Sequence, residues 1–254
     1  ANADCEQVDR GSGPPSTTST IATVDSLTGT ISVLAGEGAQ NSITVARAFD
    51  GFGNRTGPYV VTETGTDPTS GLPLQIIAAS GCVPAGAGTV QCGTLSASGI
   101  EVATDDLGDV VTVDDSSPAQ IVGGDGDDTL TGSDGKDTLD GGAGRDVMDG
   151  GAGADSFSGG SEGWLSGTVP AGVTVGDTVS YASHSSGVTA SLDGVANDGN
   201  STDFDAGTNS HDQIGADVEE LYGSAHDDTL TGGAGITQVM GQAGNDLLPS
   251  GNWS

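Results

Sequence analysis

Positive charge is scarce in this chain. Five lysines and arginines stand against 36 aspartates and glutamates in 254 residues, a formal net charge of -31. Proteins that hold nucleic acid or an anionic bilayer do so through Lys and Arg, so neither partner is expected. Large apolar residues are also few: a third of the chain is hydrophobic only when alanine is counted, and aromatics make up 4%. No apolar run approaches the roughly 18 residues of a membrane span, which argues against membrane insertion. Low hydrophobicity with high net charge is the composition of a chain that stays disordered in water. The 45 glycines add backbone entropy that must be lost on ordering. A counter-charge is needed for this chain to fold.

Catalytic signatures are missing too. There is no H-E-x-x-H and no G-x-S-x-G. The three histidines, His184, His211 and His226, lie in separate segments and are read as surface loop residues rather than ligands. The chain is therefore expected not to be an enzyme. Cysteines number three. Cys82 and Cys92 bracket the Gly/Pro-rich "CVPAGAGTVQC" and are expected to form a local disulfide in an exported protein. Cys5 is then left free, lipid-modified or joined to another chain. A first residue Ala1 rather than Met is what removal of a secretory signal leaves, and a trimmed chain looks the same; the expected location is secreted, in the extracellular space or on a cell surface.

What the chain does have is acid on a period. Residues 1–104 hold nine acids and three arginines, whereas residues 105–254 hold 27 acids against Lys136 and Arg145. Within the acidic part, "GGDGDDTLT", "GSDGKDTLD", "GGAGRDVMD" and "GGAGADSFS" stand end to end from Gly123. Each fits G-G-x-G-x-D-x-U-x, with U a large apolar residue; Ser133 is the departure, at the second glycine. Fixed-period self-similarity is the mark of a repeat architecture. Six residues of each unit suit a tight turn in which glycine allows φ > 0 and carbonyls can converge. The sixth-place aspartate adds a hard anionic oxygen of the kind Ca²⁺ takes. The last three residues suit a short strand with its middle side chain inward.

This pattern resembles the repeats-in-toxin (RTX, hemolysin-type) family of calcium-binding nonapeptide repeats. The resemblance is specific for residues 123–160, weaker for 105–122 and 173–249, and does not cover 1–104. It implies an all-β fold, a right-handed parallel β-roll or β-solenoid in which two nonapeptides make one coil. It also implies several structural Ca²⁺ ions, each lying between a turn and the turn two units on. Asp128 would share an ion with Asp146 and Asp137 with Asp155, while Asp228 and Asp246, two units apart, could serve the same side of the roll. Carbonyls of Gly124, Gly126, Gly135, Gly142, Gly144 and Gly153 would complete the sites. Asp125, Asp127, Asp134, Asp109, Asp177 and Asp212 are weaker candidates. In a second block, "GSAHDDTLT", "GGAGITQVM" and "GQAGNDLLP", Thr237 stands where the aspartate belongs and should weaken that site.

The expected organisation is an extended tail (1–20), a β-rich region (21–104), the calcium-binding roll (105–249) with looped insertions near 160–172 and 193–211, and an end segment (250–254). Short alternating runs such as "GTISVL" and "NSITVAR" predict strands in the amino-terminal region, as a sandwich or as an extension of the solenoid. Trp164 and Trp253 are read as covers for an exposed core edge. Extracellular calcium modules bind with Kd of about 10⁻⁴–10⁻³ M. About four to eight such sites in millimolar calcium would supply roughly 5–15 kcal/mol, the stability of an ordinary domain.

A solenoid has open ends that must be capped or stack on another copy. The leading expectation is a secreted structural protein that associates end to end with copies of itself into a fibre or surface layer. The alternatives are a calcium-rigidified adhesin module binding glycan or protein, and a non-catalytic domain of a larger secreted protein. Outward threonines such as Thr129 and Thr138 lose register in the third and fourth repeats, which argues against an ice-binding face.

Overall fold

The computed structural model describes residues 19–50, 54–93, 97–161, 176–233 and 238–249. Cys5, Trp164, Thr237, Trp253, the first looped insertion from 162 on and the end segment 250–254 lie outside the described residues. Every element in the described residues is a strand. The amino-terminal region forms β1 (Ser19–Val24), β2 (Ile31–Leu34), β3 (Ser42–Phe49), β4 (Arg55–Glu63), β5 (Gln75–Ala78), β6 (Cys82–Gly86), β7 (Thr89–Cys92) and β8 (Ile100–Ala103). The acidic region continues with β9 (Val110–Asp114), β10 (Ala119–Asp125), β11 (Thr129–Thr131), β12 (Thr138–Ala143), β13 (Val147–Asp149) and β14 (Ser156–Gly160). After the undescribed segment come β15 (Thr178–Ser180), β16 (Thr189–Ser191), β17 (Gln213–Ile214), β18 (Glu220–Tyr222), β19 (Thr229–Thr231) and β20 (Gln238–Met240). Ser19 and Thr20, within the span expected to be a tail, belong to β1.

The strands make two large mixed sheets and one small one. The first runs β17-β14-β12-β10-β8-β2-β1-β5, the second β20-β18-β15-β13-β11-β9-β3-β4-β7-β6, and β16 pairs β19 alone. From β2 to β17 and from β3 to β20 every pairing is parallel. Among β3, β4, β7 and β6, and between β1 and β2, pairing is antiparallel. The amino-terminal strands therefore lengthen the same two sheets as the repeats, joining through β2 on β8 and β3 on β9. The Cys82–Cys92 disulfide links β6 to β7, as the spacing led us to expect.

Register turns the nine-residue period into a core. Strands β10, β12 and β14 align Ile121 with Leu139 and Leu139 with Phe157, and Ile214 follows on β17. On the other sheet Val111, Leu130, Met148, Val179 and Leu221 align in the same way. All of these side chains are buried. Successive strands point alternate residues to opposite faces, so one apolar residue per repeat is enough to build a continuous row when each coil stacks on the next. The flanking Thr129, Thr138 and Val147 face outward.

The row makes a direct prediction. Leu139→Ala removes a fully buried side chain between Ile121 and Phe157 and should lower stability by about 2–5 kcal/mol. Thr138→Ala, one residue away and exposed, should change it by less than about 0.5 kcal/mol. Urea unfolding of both variants at fixed ionic conditions checks this.

Candidate metal sites

The strands are joined by turns that stack on one another, and the sixth-place aspartates line up through them. One carboxylate oxygen of each accepts a hydrogen bond from the backbone N–H of its counterpart in the preceding coil. On one side Asn41 N–H donates to Asp109 (2.7 Å), Asp109 to Asp128 (2.7 Å), Asp128 to Asp146 (2.8 Å), Asp146 to Asp177 (2.7 Å) and Asp177 to Glu219 (3.1 Å). On the other, Ala119 N–H donates to Asp137 (2.7 Å), Asp137 to Asp155 (2.8 Å) and Asp155 to Asp212 (2.8 Å). A third ladder runs from Val188 to Asp228 (2.8 Å) and from Asp228 to Asp246 (3.1 Å). Asp128 with Asp146, Asp137 with Asp155 and Asp228 with Asp246 thus stand in neighbouring coils, the pairing the repeat length implies. Asp109, Asp177 and Asp212, weaker candidates by sequence, occupy the same ladders and are as buried as the strong ones.

The second oxygen is the chemically informative one. In Asp109, Asp128, Asp146 and Asp155 the buried Oδ2 has no hydrogen-bond partner. These atoms sit in cradles that only glycine leaves open: a Cβ on Gly123, Gly141 or Gly150 would collide with Oδ2 of Asp128, Asp146 or Asp155 respectively. Carbonyls crowd the same turns. Gly142 rests against the carbonyl of Gly124, Gly144 against that of Gly126, and Gly153 against that of Gly135. A buried, unpaired carboxylate oxygen costs several kcal/mol unless a cation reaches it.

Among the described residues, the three arginines are engaged elsewhere. Arg47 lies 3.6 Å from Asp115 and over the Tyr59 ring, Arg55 pairs with Asp114, and Arg145 with Asp127. None of those acids is on a ladder. Burial pushes the Asp128 carboxyl up to about 6, and Asp109 and Asp146 to about 7. Burial and the charges of Asp212 and Asp137 push Asp155 to about 9, and burial takes Asp212 to about 8. Among the described residues no three His, Cys, Asp or Glu side chains converge as a metal-holding group. A site here must combine one or two carboxylates with backbone carbonyls. That donor set, all hard oxygen and flexible in number, fits Ca²⁺ rather than a transition metal.

Other sequence candidates fall outside the ladders. Asp125, Asp127 and Asp134 are exposed, and Asp127 is taken up by Arg145. His226 is exposed, but His184 is not the surface residue expected: its side chain is 5% exposed and its Nε2 lies 2.9 Å from the buried Asp203. Asp198, Asp203, Asp217 and Glu219 were not singled out by the repeat. Glu219 fills an aspartate place with a longer side chain, and Asp198 and Asp203 sit in the irregular stretch 193–211, where the period is broken.

These shifts carry a sign. Each raised carboxyl binds its proton more tightly folded than unfolded, so the stability it contributes is complete below the ordinary value of 3.8 and is lost as the pH rises through the folded values. In a chelator the melting temperature should therefore fall from about pH 4 to about pH 9. A saturating divalent cation should remove that fall, because bound metal holds its ligands deprotonated. A chelated protein whose melting temperature rises over that range would contradict the geometry.

Comparison with known families agrees with the ladders. Residues 122–157 and 220–239 match the RTX calcium-binding nonapeptide repeat, in four copies. No curated protein and no solved structure matches the chain. Repeats of this type bind Ca²⁺ at several sites in a structural role. Residues 122–157 and 220–239 are thus similar in sequence to RTX calcium-binding nonapeptide repeats.

Proposed function

We propose that this is a secreted, non-catalytic structural protein whose acidic two-thirds, 105–249, is a right-handed parallel β-roll folded by Ca²⁺. The observation that carries the reading is the row of buried, unpartnered carboxylate oxygens at Asp109, Asp128, Asp146 and Asp155. Ions held between neighbouring turns would join Asp128 to Asp146 on one side, and would take Asp155 with Asp212 on the other. Carbonyls of Gly124, Gly126, Gly142, Gly144 and Gly153 would fill the remaining positions. Calcium supplies charge neutralisation and coil-to-coil connection, and the residues do no chemistry on a substrate.

The same reading extends to assembly. In the described residues β17 and β20 are the last strands of the two sheets at one end, and β5 and β6 at the other. A strand with one unpaired edge is a template for a further strand. End-to-end association into a fibre or surface layer uses both ends of one molecule, and a heterologous contact of that kind gives an open polymer.

A second reading, a calcium-rigidified adhesin module, is favoured by one feature. A groove of about 390 Å³ beside the second ladder is lined by Thr112, Thr131, Asp134, Asp149, Ser183 and Thr202. Hydroxyls and carboxylates in that arrangement complement a glycan's hydroxyl groups.

Electron microscopy and circular dichroism with calcium and with chelator separate these readings. Chelation should abolish the β-sheet signal and any filament together; an unchanged spectrum in chelator would reject the calcium-folded roll. Monomers in calcium that bind a glycan array would favour the adhesin. Asp146→Asn should raise the calcium concentration at half-folding by about tenfold, equivalent to about 1.4 kcal/mol.

A further inference from the structure

The turns are not all alike. In the turns beginning at Gly123, Gly141 and Gly150, the second and fourth residues are left-handed; Gly142 has φ +106° and Gly144 φ +148°. The turns beginning at Gly132 and Gly223 have serine in second place, and none of Ser133, Gly135, Ser224 or His226 is left-handed.

The serines make matching contacts. Ser133 N–H donates to Asp137 Oδ2, Gly135 N–H donates to Ser133 Oγ (2.9 Å), and the single Ser133 hydroxyl proton faces both the Ser117 carbonyl (2.9 Å) and Asp137 Oδ1 (3.0 Å). Ser224 N–H donates to Asp228 Oδ2 (2.8 Å), Ser224 Oγ lies 2.9 Å from Asp228 Oδ1, and His226 N–H donates to Ser224 Oγ (3.1 Å). Oδ2 of Asp137 and of Asp228 is thereby engaged inside its own turn, whereas Asp128, Asp146 and Asp155 each keep a buried Oδ2 with no partner. Glycine in second place is not itself the requirement. Gln242, second in the turn ending at Asp246, is left-handed with φ +66°, and its fourth residue Gly244 has φ +146°. It is the serine, not the loss of glycine, that accompanies the closed geometry.

We infer that Ser133 and Ser224 determine which turns take calcium. The aspartates they close, Asp137 and Asp228, are structural hydrogen-bond acceptors rather than calcium ligands. The aspartates of the open turns, Asp128, Asp146 and Asp155, are the ligands. This rests on the calcium reading above, and it replaces the expectation that Asp137 shares an ion with Asp155. The serine amide supplies to Oδ2 a donor that the open turns lack, so these two turns need a cation less than the open ones do, although burial still pushes the Asp137 carboxyl up to about 6. A donated hydrogen bond to an ionised carboxylate is among the stronger protein hydrogen bonds, and it occupies one of the two lone-pair sites that Oδ2 offers an ion.

Calcium stoichiometry of the full chain, measured by equilibrium dialysis with radioactive calcium, tests this. Asp155→Asn should lose an ion relative to wild type, and Asp137→Asn should keep the wild-type number. Ser133→Gly, which removes the hydroxyl and permits a left-handed second residue whose amide no longer has to face Asp137 Oδ2, should gain one. Loss of an ion in Asp137→Asn as in Asp155→Asn would overturn the inference and leave the calcium reading standing. A wild type that binds no calcium would overturn both. If Asp137→Asn does not fold in calcium, the serine variants decide: unchanged stoichiometry in both Ser133→Gly and Ser224→Gly would overturn the inference, and a gain in either supports it.

Discussion

The fold depends on one divided interaction. Each sixth-place aspartate uses one oxygen to accept the backbone N–H of the neighbouring coil and turns the other into the bend of its own coil. The first bond sets the spacing and register of successive turns, with N···O distances of 2.7–3.1 Å down the ladders. The second oxygen creates a demand. A buried carboxylate next to others of its kind is costly to ionise, and the ladders place one every coil. The backbone pattern that stacks the turns is the same one that requires a counter-charge between them.

That demand accounts for the chain's composition. One large apolar residue in nine contributes about 1.5–3 kcal/mol when buried, and the eight residues around it still have to be ordered. The repeats add backbone pairing and, through the family they match, calcium. On the proposed reading, net charge that would keep the chain disordered in plain water becomes the means of ordering it once the cation is present. The amino-terminal strands differ in kind. They have a denser apolar core, including Tyr59, Val61, Val45 and Ile31, antiparallel pairing and the Cys82–Cys92 disulfide. They extend the two sheets without repeats and give the first parallel coil a finished surface to stack on.

Much of the site is legible in the order of the residues. The nonapeptide period places Asp128, Asp137, Asp146, Asp155, Asp228 and Asp246 in equivalent positions, and the structure puts all of them on ladders. It also places Leu130, Leu139, Met148 and Phe157 inward, and all four are buried. Asp109, Asp177 and Asp212 are legible only faintly, because their surroundings keep the aspartate and the apolar strand residue but not the glycines. Glu219 lies in register, nine residues before Asp228 with Leu221 nine before Leu230, but glutamate in the aspartate place hides it from the motif. The pairing of Asp203 with His184 is hidden for another reason: 19 residues of non-repeating sequence separate them, and only the folded loop brings Nε2 to within 2.9 Å of the carboxylate.

The sequence alone determined that the acidic part is periodic, that its period places one acid and one apolar residue per unit, and that its charge needs a cation. These follow from spacing and composition, which are properties of the chain in order. Only the tertiary structure decided how the amino-terminal strands join the repeats, since two runs of alternating residues do not say which edge they pair with. It alone also separated the aspartates with a buried, unpartnered oxygen from those closed by Ser133 and Ser224. That difference lies in which lone pairs are already taken, and hydrogen bonds between a residue and its turn exist only once the turn has formed.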